Sequence, residues 1–138
     1  MKRFPNNKTK VFISVSKFPG NTGSIFHNSL FNYFKINSIY IPFRLNNVKN
    51  LNKIILDLNI SGCSVSMPFK VKVFKHLNKY DKSCRITRNV NTILRKNGKL
   101  VGFNTDYIAS NKILDNKIKN FQNCLLLGNG AVAKTFYK

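Results

Sequence analysis

The sequence predicts an α/β fold with a mainly parallel, mixed sheet and helices on both of its faces. In the first half, short apolar runs of strand length alternate with apolar patterns of helical period. Repeated alternation at these lengths is typical of parallel strands joined by crossover helices. Further along, two strand-like segments meet at Asn97 and Gly98, a pair that favours a tight hairpin. We therefore expect an antiparallel pair at one side of the sheet.

The first half contains three predicted strand–helix units. Strands are assigned to short β-branched runs, and helices to apolar residues three or four positions apart. Polar residues ahead of the helices are assigned as N-caps. The predicted elements are a strand over residues 10–16, a helix capped by Ser24 and ending near Lys35, a strand over residues 39–43, a helix through Val48, Leu51, Ile55 and Leu58 that starts near Asn46 or Asn47, a strand ending near Ser66, and a helix through Phe69, Val73, Phe74 and Leu77 with Ser66 as its cap and Pro68 in its first turn.

The second half continues the sheet and then changes character. We predict a short helix over residues 81–88, hairpin strands over 90–95 and 99–103, and a helix through Ile108, Ile113 and Leu114 capped by Asp106. Residues 115–120 form a linker or a helix end. Residues 124–127 are expected to form a buried strand that leads into a helix over residues 131–137.

Lys70 lies where a cation does not stabilise its helix. The N-terminal end of a helix carries a partial positive charge, which disfavours a nearby cation by roughly 0.3–1 kcal/mol. The same repulsion favours the neutral amine, so Lys70 is a candidate general base or acid. The alternative is an ordinary solvated lysine in a basic protein.

The charge of the chain is extreme but evenly spread. Its formal net charge is +20, from 24 Lys and Arg against four Asp and no Glu. A nucleic-acid-binding protein concentrates basic residues on one face or arm, whereas here they are scattered singly along the chain. We therefore predict no specific nucleic-acid partner, although a basic nucleic-acid-binding protein stays open as a function class.

The number and spacing of the cysteines and the length of the apolar runs constrain the class of protein further. Cys63, Cys84 and Cys124 are odd in number and lack paired metal-ligand spacing, so the sequence predicts neither a disulfide framework nor a metal site. We expect Cys63 and Cys124 to act as small core residues in a reduced, cytoplasmic protein. No apolar run reaches the length of a membrane span, so no membrane partner is predicted.

A phosphate-binding pattern follows the last predicted strand. Residues 128–133 read Gly-Asn-Gly-Ala-Val-Ala, which fits G-x-G-x-x-A between a strand and a helix. The first glycine allows a tight turn, and the second lets a pyrophosphate approach the backbone. The candidate cofactor-binding residues are Gly128, Asn129, Gly130, Ala131, Val132 and Ala133. The residue that would read the cofactor ribose is expected about 20 positions further on, beyond Lys138.

Five short blocks in order resemble the shikimate dehydrogenase family, and the resemblance covers essentially the whole chain. They are Phe26-His27-Asn28, the segment GCSVSMPFK over residues 62–70, Asn89-Val90-Asn91-Thr92, Gly102-Phe103-Asn104-Thr105-Asp106, and LLLGNGAVA over residues 125–133. Details such as Met67-Pro68-Phe69-Lys70 look more like the shikimate-dehydrogenase-like subgroup. The resemblance implies a substrate-binding catalytic domain over residues 1–115 and the start of a truncated NADP-binding Rossmann domain over residues 116–138.

The resemblance also implies a reaction and a site. It implies NADP-dependent interconversion of 3-dehydroshikimate and shikimate in aromatic amino acid biosynthesis, with Lys70 as the proton acceptor and donor and Asp106 as its hydrogen-bonding partner. Ser66 and Asn91 would contact substrate hydroxyls. The family's Ser-x-Ser-Pro segment, which holds the substrate carboxylate, reads Asn-Thr-Gly-Ser here, so Thr22 and Ser24 are the substrate-binding candidates in it.

Two further readings of the chain stay open beside an oxidoreductase. One is a ligand-binding remnant that binds a small-molecule substrate without turnover, and the other is the basic nucleic-acid-binding protein already named. The sequence also leaves open whether the protein forms a homodimer.

Overall fold

The computed structural model describes residues 4–117 and 123–137. Within these residues, six strands form one mixed sheet in the order β2-β1-β3-β5-β6-β4. The strands are β1 Lys10–Ser16, β2 Ser38–Arg44, β3 Gly62–Val65, β4 Lys79–Tyr80, β5 Thr92–Lys96 and β6 Lys99–Phe103. β1 pairs in parallel with β2 and β3, and β4 pairs in parallel with β6. β5 is antiparallel to both of its neighbours, so the other five strands run in one direction.

Helices cover both faces of this sheet, as the alternation predicted. The helices are α1 Thr22–Tyr33, α2 Leu51–Asp57, α3 Lys70–Phe74, α4 Lys82–Thr87, α5 Thr105–Lys117 and α6 Ala131–Phe136. Successive residues of β1 point to opposite faces. Phe12 lies 5.7 Å from Phe31 of α1, centroid to centroid, whereas Ile13 belongs to the core cluster that contains residues of α2 and α3. The predicted α/β class is therefore confirmed.

The core beneath α2 and α3 fixes the segment that carries Lys70. Ile55, Phe69 and Val73 are each at most 1% exposed and belong to one apolar cluster with Ile13 and Val15. Full burial of a side chain of this size contributes about 1.5–3 kcal/mol. Phe69 and Val73 flank Lys70 in sequence, so their burial holds the start of α3 against the sheet.

The hairpin and the short helix before it follow the sequence prediction. Asn97 and Gly98 have φ of 51° and 71°, the left-handed values that a two-residue hairpin turn requires. Asp81 accepts a hydrogen bond from the backbone N–H of Cys84 at 3.0 Å and so caps α4. The two-residue strand β4 was not predicted, because so short an extended segment carries no alternation pattern.

Three predicted helix caps are wrong. α1 begins at Thr22, and the Ser24 hydroxyl donates to the backbone carbonyl of Asn21 instead of accepting from a backbone N–H. α3 begins only at Lys70, after a turn in which the Ser66 carbonyl accepts from the Phe69 N–H. Asp106 lies inside the first turn of α5, and the side chain of Asn104 accepts from the Tyr107 N–H in its place. In each case a neighbouring residue or a tight turn occupies the capping position.

The start of α2 and the burial of α1 also differ from expectation. α2 begins at Leu51 after Asn50, later than Asn46 or Asn47, because residues ahead of it form a turn closed by the hydrogen bond from the Leu51 N–H to the Val48 carbonyl. The apolar stripe of α1 is helical as predicted, but none of its residues is buried in the described structure. Phe26 in that stripe is 58% exposed.

The predicted buried strand over residues 124–127 is wrong. Residues 123–129 have no regular secondary structure and pair with no described strand, and Leu125 and Leu127 are 84% and 85% exposed. A strand needs a neighbour to satisfy its backbone groups, and the described residues offer none here. Cys124 is exposed rather than a core residue, whereas Cys63 is buried as predicted. The predicted linker over residues 115–120 extends past Lys117 and lies partly outside the described residues.

Candidate functional site

Lys70 and Asp106 meet in an ion pair at one edge of the sheet. Lys70 is the first residue of α3, which follows β3, and Asp106 is the second residue of α5, which follows β6. β3 and β6 run in the same direction, so their carboxyl ends lie at the same edge, where α/β proteins commonly bind ligands. The Lys70 Nζ lies 2.7 Å from Asp106 Oδ2, with side chains 15% and 37% exposed. The pair is thus reachable from solvent without being fully solvated.

The backbone on both sides of the pair is held in place. The Lys70 carbonyl accepts from the Val90 N–H at 3.0 Å, which ties the start of α3 to the segment before β5. Asn104, two residues before Asp106, is fully buried. Its amide nitrogen donates to the Thr87 hydroxyl at 2.9 Å, while its carbonyl oxygen caps α5. Both charged residues therefore extend from fixed backbone.

Asn91 lies beside the pair and makes its side-chain bonds within the protein. Its Oδ1 accepts from the Thr105 N–H at 3.0 Å, and its Nδ2 donates to the Thr105 hydroxyl at 2.8 Å. Its backbone carbonyl accepts from the Val65 N–H at 2.7 Å. Asn91 thus joins the end of β3 to the residue that precedes Asp106. Substrate contact by this residue stays a prediction.

The other substrate-binding candidates lie at the same edge of the sheet. Ser66 follows β3, is exposed, and donates its backbone N–H to the Val15 carbonyl at 2.9 Å. Thr22 is the exposed first residue of α1, which begins after the carboxyl end of β1. Ser24 lies one position beyond Gly23, with its hydroxyl bonded back to Asn21. The structure therefore brings both segments to the edge that carries Lys70.

Three serines near this edge, Ser14, Ser16 and Ser64, were not singled out from the sequence. Ser14-Val15-Ser16 and Ser64-Val65-Ser66 are identical tripeptides, and the register of β1 and β3 places Ser14 beside Ser64 and Val15 beside Val65. The two valines are at most 2% exposed and join the core, so the serines lie on the opposite face, which is the face of α1. Repetition of the tripeptide in two predicted strands was the signal that could have revealed this cluster.

The glycine-rich turn over residues 128–133 is open to solvent. Gly128 has a φ of 121°, a conformation that L side chains rarely adopt, and a Cβ added at Gly128 or Gly130 would meet no atom within 4 Å. The backbone of this turn is therefore open to an approaching ligand, and binding of a cofactor phosphate there stays a prediction. Asn129, Ala131, Val132 and Ala133 complete the turn and the first residues of α6.

Buried polar residues dock α6 on the rest of the chain. Thr135 of α6 is 1% exposed and accepts from the side-chain amides of Asn89 and Asn104, both at 3.1 Å. The amide of Asn89 also donates to the Ala131 carbonyl at 2.7 Å. Because Asn104 also caps α5, this network connects the glycine-rich turn to the helix that carries Asp106. Sequence reasoning missed it, since single polar residues carry no periodic pattern.

A large cavity lies away from the ion pair. It has a volume of about 1020 Å³ and is lined by residues that include Phe4, Thr9, Phe31 and Ile39. These residues lie near the amino ends of β1 and β2, about 20 Å along β1 from the carboxyl edge at ~3.3 Å per residue. Its walls hold none of the predicted site residues.

Metal and membrane features were searched over residues 4–117 and 123–137. No group of three His, Cys, Asp or Glu side chains in this part could hold a metal ion. Likewise, no helix there has the length and apolar character needed to cross a bilayer.

Comparisons with known proteins identify a family. The sequence model described as the shikimate dehydrogenase substrate binding domain matches residues 21–93. A shikimate dehydrogenase-like protein of Haemophilus influenzae is 35% identical over 130 residues, which cover 94% of this chain and 48% of that protein. The shikimate dehydrogenase (NADP(+)) of Pyrococcus furiosus is 35% identical over 132 residues, with 94% and 49% coverage.

A solved structure gives the same result. A crystal structure of shikimate dehydrogenase in complex with NADP+ matches with a TM-score of 0.79 and 28% identity, over 96% of this chain and 48% of that one. The chain therefore spans about half the length of the relatives it matches. Together with the family model, which covers more than half of the sequence, these matches show that the chain belongs to the shikimate dehydrogenase family.

Proposed function

We propose that this chain provides the substrate-binding domain and the proton-transfer pair of an NADP-dependent shikimate dehydrogenase, which interconverts 3-dehydroshikimate and shikimate. The observation that carries the proposal is the 2.7 Å contact between Lys70 and Asp106 at the carboxyl edge of the sheet. The family supports the substrate and cofactor classes, because relatives named shikimate dehydrogenase (NADP(+)) match nearly the whole chain.

Lys70 would move the proton that accompanies hydride transfer. When a secondary alcohol becomes a carbonyl, its hydroxyl proton must leave as the C–O double bond forms, and bound NADP supplies the hydride acceptor. In the oxidation direction, the neutral amine form of Lys70 takes that proton on Nζ and becomes the ammonium. In the reduction direction, the Lys70 ammonium gives the proton to the carbonyl oxygen of 3-dehydroshikimate. The Asp106 carboxylate holds the ammonium in place and stabilises its charge.

The surrounding polar residues would orient the substrate. Exposed Ser66 would contact a ring hydroxyl, and Thr22 and Ser24 would contact the substrate from the start of α1. Asn91 would contact a hydroxyl while keeping Thr105 in position. On this proposal, residues 1–115 form the substrate domain and residues 116–138 begin the cofactor domain, with residues 128–133 against the cofactor phosphates.

One observation favours a second candidate, substrate binding without turnover by these 138 residues alone. Residues 123–129 pair with no described strand, so the described residues give the turn at Gly128 none of the sheet that supports a dinucleotide-binding turn. We expect the 138-residue protein to bind shikimate weakly, to show no saturable NADPH binding, and to catalyse no NADP reduction. Calorimetry with each ligand and an absorbance assay check this. Measurable turnover by the purified protein would contradict the second candidate.

Replacement of Lys70 tests the catalytic assignment. In a form joined to the NADP-binding domain of a relative, we expect Lys70→Ala to lower kcat by orders of magnitude and to change KM less, because the lysine acts on the proton that moves in the transition state. Lys72→Ala is the matched control, since Lys72 lies exposed on the same helix. Near-normal kcat for Lys70→Ala would reject Lys70 as the proton carrier.

A further inference from the structure

Two cations converge on one exposed aromatic ring at the carboxyl edge of the sheet. The Lys17 Nζ and the Arg44 guanidinium each lie 5.6 Å from the centroid of the Phe18 ring. Phe18 is 75% exposed, and both cations are exposed as well. Like charges repel, and a cation–π contact at an exposed site returns only about 0.5–1 kcal/mol. A pair of cations held at one place is therefore suited to bind an anion.

The described part of the chain supplies no acidic partner for these two cations. The first 56 residues contain neither Asp nor Glu, and the ion pair found in the described part of the chain joins Lys70 to Asp106. The positive charge at Lys17 and Arg44 is thus uncompensated by neighbouring strands. A carboxylate arriving from solution would be the first negative charge at this point.

The strand register places this pair in line with the candidate site. Ser16 is directly beside Arg44 across β1 and β2, and the pairing of Val15 with Val65 places Ser16 next to Ser66 across β1 and β3. With strands about 4.8 Å apart, Arg44, Ser16 and Ser66 form a row roughly 10 Å long that leads toward Lys70. The cationic pair and the segment that leads into Lys70 therefore lie at opposite ends of one short stretch of this edge.

Ser16 adds an unsatisfied hydroxyl to this row. The residue is 5% exposed, and its Oγ has no hydrogen-bond partner among residues 4–117 and 123–137. A buried polar atom without a partner is costly, and a ligand oxygen would relieve that cost. In contrast, Ser24 in the segment that replaces the family's Ser-x-Ser-Pro already donates to Asn21.

We propose that Lys17 and Arg44, with Ser16 between Arg44 and Ser66, form the subsite that binds the carboxylate of the substrate in this chain. The inference rests on the proposed function and makes it more specific. Arg44 offers two parallel N–H donors to a carboxylate, and Lys17 adds a second charge. Phe18 keeps both side chains at the mouth of the site. The proposal moves carboxylate recognition from the start of α1 to the ends of β1 and β2.

The test compares shikimate with its uncharged methyl ester by calorimetry on the 138-residue protein. We expect the unchanged protein to prefer the acid over the ester by about tenfold or more, the effect typical of a hydrogen bond to a charged group. The double variant Lys17→Gln/Arg44→Gln should bind both ligands with equal affinity. Arg44→Lys should keep part of the preference, because it retains the charge but loses the paired donors.

A control of equal net charge separates local from general electrostatics. Lys96→Gln/Lys99→Gln removes two exposed cations at the β5–β6 turn and should leave the preference for the acid unchanged. If the Lys17/Arg44 double variant keeps the wild-type preference for the acid, the subsite is wrong while the proposed function stands. If the unchanged protein binds neither shikimate nor its ester, the proposed function fails, and the subsite fails with it. Unaltered circular dichroism of each variant checks that the fold is kept.

Discussion

Replacing Lys70 by Met and Asp106 by Asn removes the ion pair while keeping the shape of each side chain nearly constant. At 2.7 Å and an effective dielectric constant of about 20, the attraction between the two charges is roughly 6 kcal/mol before desolvation is counted. Most of that is offset by the loss of water around the charges, and fully exposed pairs keep only about 0.2–1 kcal/mol. With side chains 15% and 37% exposed, we expect a coupling free energy of about 1–2 kcal/mol.

Urea unfolding of the wild-type protein, both single variants and the double variant gives this coupling as a double-mutant cycle. The matched control combines Lys72→Met with Asp106→Asn, because Lys72 lies on the same short helix but forms no ion pair with Asp106 in the described structure. That cycle should show no coupling beyond about 0.3 kcal/mol. Equal coupling in the two cycles would mean that the Lys70–Asp106 contact does not form in solution.

Further predictions concern thiols, packing and charge. Burial raises the pKa of Cys63 to about 12, and burial together with nearby Asp81 raises the pKa of Cys84 to about 12. A thiol reagent should therefore label exposed Cys124 first, and the other two cysteines only after unfolding. Because both pKa values exceed the ordinary value of 9.0, the thiols ionise at lower pH in the unfolded chain than in the folded one. Between about pH 9 and pH 12, the free energy of unfolding should therefore decrease by up to ~1.4 kcal/mol per pH unit for each thiol. A variant with both cysteines replaced by Ala is the reference for this decrease. Gly102→Ala should destabilise the protein by about 1–3 kcal/mol in urea unfolding, since its Cβ would lie 2.9 Å from Leu77 Cδ1, whereas Gly20→Ala, with no atom within 4 Å, should not. Binding to random DNA should be weak and should collapse with added salt in a fluorescence titration, and sub-micromolar, sequence-dependent binding at physiological salt would contradict the scattered-charge interpretation.

The alternation of short strands and helices in the sequence was enough to predict most of the fold. Strand β1 and the hairpin turn at Asn97 and Gly98 occur where the sequence placed them, because a buried apolar run and a left-handed turn each leave a local signature. The caps were less predictable. Ser24 and Ser66 are good capping residues by type, yet the tertiary structure starts each helix elsewhere, so a local preference was overridden.

The residues at Leu125 and Leu127 show a different limit of sequence reasoning. Three consecutive leucines before a glycine-rich turn carry every local sign of a buried strand. Burial, however, depends on neighbouring strands that the described residues do not contain, and both side chains are exposed. The apolar pattern of one segment does not tell whether a neighbouring strand is present to pair with it.

Some residues of the candidate site could likewise be predicted from the sequence, and others could not. Lys70 was found from its position at a helix start, and the structure places it against Asp106, as the family resemblance implied. The Asn89–Thr135 contact and the convergence of Lys17 with Arg44 on Phe18 join residues far apart in sequence. Such contacts follow from strand register and helix docking, which single-residue preferences do not encode.

The location of the substrate site can be measured directly by following backbone amide NMR signals during a shikimate titration of the 138-residue protein. The account predicts that the signals of Ser66, Lys70, Asn91 and Asp106 shift together in a saturable manner, with those of the cavity near Phe4 and Ile39 unchanged. Saturable shifts confined to the cavity residues, or no shifts at millimolar shikimate, would contradict the claim that the Lys70–Asp106 edge is the substrate site.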